Sequence, residues 1–286
     1  MKQKTHKNEV KYNPFENVEI KKSNIDFSEI THYHKNPKDM VEASFLFKGN
    51  TQRMKKLMQK AKNGDKINFT VLGGSITEGS GHSDGEYYGD VLNKWFKENF
   101  KQSEICYVNS GRGTTTSLFG SARIQRDILP LNCDLVIVEY AVNDTILEKH
   151  IAREAFEGLL IKLLSLPSKP CVMILFSCMG GLGSAQDLDL PIGIHYNLPM
   201  ASLHDAIVFH LKQNFGYNYE NEMTEQEISD YVVKNFIYDG CHPDTKTYSL
   251  LCDFITHQLT IALNNLNEFE EEYILPNTPI YSKRFI

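Results

Sequence analysis

Serine, histidine and aspartate occur in this chain at spacings that suit acyl transfer. In Asp239-Gly240-Cys241-His242-Pro243 a carboxylate stands three residues before an imidazole, near enough for the two to meet within one local turn. An aspartate that accepts from Nδ1–H fixes the imidazole tautomer and stabilises the imidazolium, leaving Nε2 to take a proton from a nucleophile. A serine hydroxyl is unreactive until such an acceptor holds it. The glycine-rich stretch 71–85 offers candidates. Gly81-His82-Ser83-Asp84-Gly85 fits the G-x-S-x-G pattern, yet Ser83 lies about ten residues past the preceding apolar run and lacks the strand-turn-helix context that gives the pattern meaning. Ser75, in Gly73-Gly74-Ser75-Ile76-Thr77, directly follows that run and is the expected nucleophile.

Acyl transfer also needs donors aimed at the oxygen that becomes negative. Gly113 can bring a backbone N–H close with no Cβ in the way, Asn143 can offer a side-chain amide, and Ser75 carries its own N–H. Arg112, beside Gly113, suits either an anionic substrate or a structural salt bridge, and His82, on the rim formed by residues 79–85, is a candidate substrate contact. His204, His210 and His257 read as helix residues, exposed or satisfied by neighbours. His32 and His34 suggest a metal, but no further ligand has suitable spacing.

These residues need elements to position them. Met54, Leu57, Met58 and Ala61 share one face of a helix from Arg53 to Lys62, with Gly64 as its stop. Near-continuous apolar runs at 67–72, 105–108, 135–138 and 171–176 read as strands, with helices expected at 87–100, from the 109–116 loop through Leu129, and at 146–164. Such runs, separated by helices, predict a parallel sheet covered on both faces, with ligands at the carboxyl ends of its strands. A long loop is expected after Ser177, then helices near 200–213 and 224–236 and a last one over 245–266, capped by Asp244. Residues 1–50 are expected to form an extension on or near the core, 51–268 the α/β domain, and 269–286 an extended tail.

Composition narrows the classes. The chain has 286 residues, 41% of them hydrophobic, and a formal charge of -6, which leaves no electrostatic footprint for nucleic acid. Lys21-Lys22 and Lys55-Lys56 read as solvated surface. No stretch approaches the roughly 18 uninterrupted apolar residues of a membrane span. The basic start lacks the apolar segment of a secretory signal, so a cytoplasmic location is expected. The six cysteines show no C-x-x-C spacing and mostly fall in apolar runs, which predicts reduced core residues.

Taken in order, Gly73-Gly74-Ser75-Ile76-Thr77, residues 109–116, Ala141-Val142-Asn143-Asp144 and Asp239-Gly240-Cys241-His242 resemble the four blocks of the SGNH, or GDSL-like, hydrolases, carbohydrate esterases among them. The resemblance implies a flavodoxin-like three-layer α/β/α sandwich with a five-stranded parallel sheet. It implies Ser75 as nucleophile, His242 as base, Asp239 as its orienter, Ser75, Gly113 and Asn143 as oxyanion donors, and no metal or organic cofactor. Gly74 and Ile76 replace the Asp and Leu of the name-giving motif, and Thr114 stands where many members have a second glycine, so either Gly113 or Thr114 presents the loop amide. The expected activity is a serine esterase removing a short acyl group, acetyl above all, from a small-molecule or oligosaccharide ester. The alternatives are an O-acyltransferase using the same site with a sugar acceptor, a nucleotide- or phosphate-binding module, and a sugar-binding protein without turnover.

Overall fold

The computed structural model describes residues 33–80, 86–217 and 223–282. Among them one sheet is built from β1 (Phe45–Phe47), β2 (Ile67–Gly73), β3 (Ile105–Gly111), β4 (Leu135–Glu139), β5 (Cys171–Phe176) and β6 (Met200–Ser202), in the order β1-β6-β5-β4-β2-β3. The five strands from β6 to β3 are parallel, and β1 runs antiparallel to β6. Numbered along the chain, the parallel strands are ordered 2-1-3-4-5, the flavodoxin-like arrangement, whose switch point falls between β2 and β4. The expected parallel sheet is thus present, with one antiparallel edge strand added by Phe45-Leu46-Phe47.

Strand side chains alternate between faces, so a sheet covered on both sides must be apolar at odd and even positions alike. Leu135, Ile137, Cys171, Met173 and Leu175 face one core, together with α2 (Gln52–Asn63), α4 (Tyr88–Asn99) and α10 (Thr245–Asn264). Val136, Val138, Val172, Ile174 and Phe176 face the other, against α6 (Lys149–Leu164) and the turn that follows α5 (Ser117–Arg123). Each such side chain contributes roughly 1.5–3 kcal/mol when fully buried. α2 buries the expected Met54, Leu57, Met58 and Ala61 and ends at Gly64, whose left-handed φ of 82° needs no Cβ.

Several boundaries depart from the sequence pattern. The helix expected through Leu129 stops at Arg123 and continues as a π turn (Ile124–Ile128) and a 3-10 turn (Leu129–Leu131), because Pro130 has no N–H with which to extend an α ladder. Residues 143–146 form their own 3-10 turn, so α6 begins at Lys149. The helix expected from residue 200 begins at Leu203, because Met200–Ser202 is the last parallel strand; Ser202 then caps α8 (Leu203–Phe215) by accepting from Asp205 N. The expected loop after Ser177 contains α7 (Gln186–His195), despite an internal Pro191. Lys55 is not solvated: it is 8% exposed, with Nζ 3.0 Å from Glu268 O and 3.7 Å from Glu270. Lys21-Lys22 lies outside the described residues. Cys133, Cys171, Cys178 and Cys252 are buried, Cys106 and Cys241 are half-buried, and all six are free thiols.

Of the two flanking segments, residues 33–47 and 269–282 lie against the core, while residues 1–32 lie outside the described residues. Tyr33 stacks on Phe45, and His34 Nε2 lies 3.1 Å from His257 Nε2 on α10. Residues 269–282 form neither helix nor strand, yet they are pinned: Arg53 sits 4.4 Å over the Tyr273 ring, and the Tyr273 hydroxyl donates to Tyr196 O. The fully buried Glu157 carboxylate accepts the N–H groups of Ile280, Tyr281 and Ser282 and the Tyr196 hydroxyl. No helix among the described residues is long and apolar enough to cross a membrane. Glu157→Ala should free the tail and lower stability by about 2–4 kcal/mol, read by urea denaturation, with amide exchange rising first at residues 280–282.

Candidate active site

β2 ends at Gly73, which pairs with Gly111 of β3 on one side and with Glu139 of β4 on the other. All three post-strand loops therefore start at one level on the carboxyl edge of the sheet. Gly74 caps α3 (Ser75–Glu78), and Gly79, at φ 95°, ends it. A side chain at Gly73 would overlap Thr77 and the Glu139 carbonyl, and one at Gly74 would overlap the Asn143 amide. Two glycines are thus what lets the helix bearing Ser75 turn directly off the strand. As the first residue of α3, Ser75 presents a backbone N–H that the helix leaves unpaired.

The loop between α9 (Glu225–Asn235) and α10 closes on itself through an Ile237–Pro243 bridge and the bonds Tyr238 N→His242 O at 2.6 Å and Asp244 N→Phe236 O at 2.9 Å. Within it, Asp239 Oδ1 accepts from Cys241 N at 3.0 Å and His242 N at 2.8 Å, while Oδ2 lies 2.8 Å from His242 Nδ1. The other ring nitrogen, Nε2, is 2.9 Å from Ser75 Oγ. Burial opposes ionisation of Asp239, but the His242 ring and the two backbone N–H donors outweigh it and bring the carboxyl down to about 2. Asp244 then caps α10 through Thr247 N at 2.7 Å.

The other expected site residues fall around this chain of bonds. Asn143 lies against Gly74, its Oδ1 buried and without a hydrogen-bond partner. Gly113 lies beside Ser75, but its N–H is already engaged, donating to Glu78 Oε2 at 2.8 Å. Thr114 adopts a left-handed φ of 57°. Arg112 is exposed, donates to Gly111 O at 3.0 Å and makes no salt bridge among the described residues. His204 pairs with Asp205, and His210 Nε2 lies 2.9 Å from the Tyr231 hydroxyl. His32, His82 and Ser83 lie outside the described residues. Among the described residues no three His, Cys, Asp or Glu side chains converge to hold a metal ion.

Beneath the site is a set of acids that sequence reasoning missed. Glu139 is fully buried at the end of β4, within 3.5 Å of Thr77 Oγ1, and Thr77 lies 2.9 Å from the Tyr88 hydroxyl. Burial, aided by the neighbouring Asp144, pushes the Glu139 carboxyl up to about 8. Burial also raises Asp144 to about 6, although it accepts from Ser117 N at 2.8 Å and so ties the third loop to α5. An isolated acid at the end of an apolar strand, as in Val136-Ile137-Val138-Glu139, was the available signal.

No protein-family model and no curated protein matches the sequence. Solved structures do. A two-domain esterase active on acetylated mannans, crystallised with mannopentaose, is 32% identical over 83% of this chain, with a TM-score of 0.68. A second structure of such an esterase gives 31% and 0.70. The chain spans 60% of the first protein's length and 61% of the second's. The lipase/acylhydrolase from Enterococcus faecalis (18% identity, TM-score 0.50, 68% of this chain and 95% of that one) bears on the fold alone. So does an acetyl-xylooligosaccharide esterase from Geobacillus (15%, 0.51, 68% and 94%). The chain shares the three-layer α/β/α fold of these esterases and acylhydrolases.

The buried acids set a pH dependence. A carboxyl whose folded pKa is raised favours the folded state fully below its ordinary value, and that contribution is lost as pH rises through the folded value. For Glu139 the window runs from about 4.5 to about 8. Unfolding free energy from urea titrations should therefore fall as pH rises across this range, and Glu139→Gln should make the decline shallower.

Proposed function

We propose that this protein is a serine esterase that removes a short acyl group, acetyl above all, from a carbohydrate. The observation that carries this reading is the continuous hydrogen-bonded chain Ser75 Oγ, His242 Nε2, His242 Nδ1, Asp239 Oδ2 at the switch point of the sheet. Similarity to the mannan acetylesterase supports the reaction class and the sugar.

In this mechanism Ser75 Oγ attacks the ester carbonyl while His242 Nε2 takes the hydroxyl proton. Asp239, ionised throughout, stabilises the resulting imidazolium. The tetrahedral oxyanion is met by the Ser75 N–H and by the side-chain amide of Asn143, which lies against Gly74 beside the nucleophile. Gly113 joins them once Glu78 releases its N–H. The imidazolium returns its proton to the departing sugar oxygen, water attacks the acyl-serine with His242 again as base, and the free acid leaves.

The mouth suits a polar, extended substrate. Thr114 and Arg112 are exposed on one loop, Ile146 is 75% exposed beyond Asn143, and Tyr238 is 58% exposed beside Asp239. An open rim with an aromatic face fits a sugar chain better than a fatty one. Arg112, with no carboxylate partner among the described residues, is placed for an acidic sugar, and Arg112→Ala should raise KM for acidic substrates while leaving neutral ones unchanged.

On a small aryl acetate and on an acetylated mannan oligosaccharide, Ser75→Ala and His242→Ala should each cost at least about 10³-fold in kcat/KM, and Asp239→Asn about 10³- to 10⁴-fold. Asn143→Ala should cost about 10²- to 10³-fold, mostly in kcat. Full activity in Ser75→Ala would overturn the assignment. Product analysis with and without added sugar acceptors separates hydrolysis from acyl transfer: acyl groups moving to the sugar instead of appearing as free acid would identify an O-acyltransferase.

A further inference from the structure

Glu78 sits where a carboxylate is unexpected. A Cβ placed on Gly113 would lie 2.7 Å from Glu78 Oε2 and 3.9 Å from Ser75 Cβ, so the carboxylate and the nucleophile flank the same glycine. Glu78 Oε2 accepts from Gly113 N at 2.8 Å and from the Ser80 hydroxyl at 3.4 Å, and no lysine or arginine pairs with it among the described residues. Its backbone is held firmly. Glu78 N donates to Gly74 O at 2.9 Å, the Gly111 α carbon packs directly on it, and Asn109 bridges Thr77 O (2.8 Å) to Gly111 N (2.8 Å). The side chain, exposed at its end, is the movable part.

In this arrangement an anionic oxygen occupies the donor that the developing oxyanion would use, and a negative charge beside that oxyanion opposes the reaction. The conflict is resolved by the substrate. An ester that carries a free hydroxyl on the neighbouring carbon can donate to Glu78, so the carboxylate exchanges one donor for another and Gly113 N–H is released to the acyl oxygen. An ester without such a hydroxyl offers nothing in exchange, and Glu78 keeps the amide.

Resting on the esterase reading above, we infer that Glu78 is a specificity-determining residue that selects partially acylated polyols, sugars with a free hydroxyl next to the ester, over esters lacking one. A site built to bind a substrate hydroxyl rejects the analogue without it strongly, because its own polar group is then left competing or unpaired.

The test uses two probes: a methyl glycoside monoacetate with its neighbouring hydroxyl free, and the same compound with that hydroxyl converted to a methyl ether. The wild-type protein should prefer the free hydroxyl by about tenfold or more in kcat/KM. Glu78→Ala should bring the ratio to within about twofold, and Glu78→Gln, which keeps an acceptor, should hold an intermediate preference. An unchanged ratio in Glu78→Ala, or an equal fall on both probes, overturns the inference and leaves Glu78 a loop brace. Wild-type turnover of both probes without preference also overturns it while the esterase reading stands. No turnover of either probe defeats the esterase reading itself.

Discussion

Gly73 is hydrogen-bonded into two strands at once, level with Gly111 on one side and Glu139 on the other, and this register is the constraint from which the site follows. It brings three loops to a common edge, so that Ser75, Gly113 and Asn143 start within reach of one another before any side chain is considered. A slip of one residue in either pairing would exchange the two faces of a strand and bury its polar end. Because these strands are apolar on both faces, what opposes such a slip is the close fit of the side chains in the two cores, and the precision of the site derives from that packing.

The edge also carries the polar cost. Asn143, Glu139, Asp144 and Ser177 place buried polar atoms without partners just below the nucleophile turn. Such atoms weaken a fold. Here they cluster where β4 hands over to the third loop, and the Asp144–Ser117 and Glu139–Thr77 contacts tie that loop to its neighbours. The strand ends thus trade apolar stability for a rigid set of polar anchors, a common pattern where local rules give way to a functional surface.

Much of this was legible along the chain. The four longest strands grow from near-continuous apolar runs, α2 shows its face at helical spacing, and Asp239 and His242 are near enough in sequence to meet within one loop. What escaped had short or distant causes. Met200–Ser202 is too brief to show a period and runs straight into an amphipathic helix. Pro191 disguised α7 as loop. Lys55 looked like a surface charge because its partners, at 268–270, lie far along the chain, and the partners of the buried Glu157, at 280–282, are as remote. Gly113 does lie beside Ser75, yet nothing local announced that Glu78, on the same short helix as Ser75, would hold its N–H.

The bond between Ser75 and His242 joins residues 167 positions apart, and the loop that carries His242 follows every parallel strand along the chain. Contacts of such long sequence separation form late, since the entropy of closing the chain must be met first. The turn that carries Ser75 can therefore exist in a partly folded chain as an ordinary helix start. The Ser75–His242 bond belongs only to the completed topology and is absent from a chain whose sheet is still open.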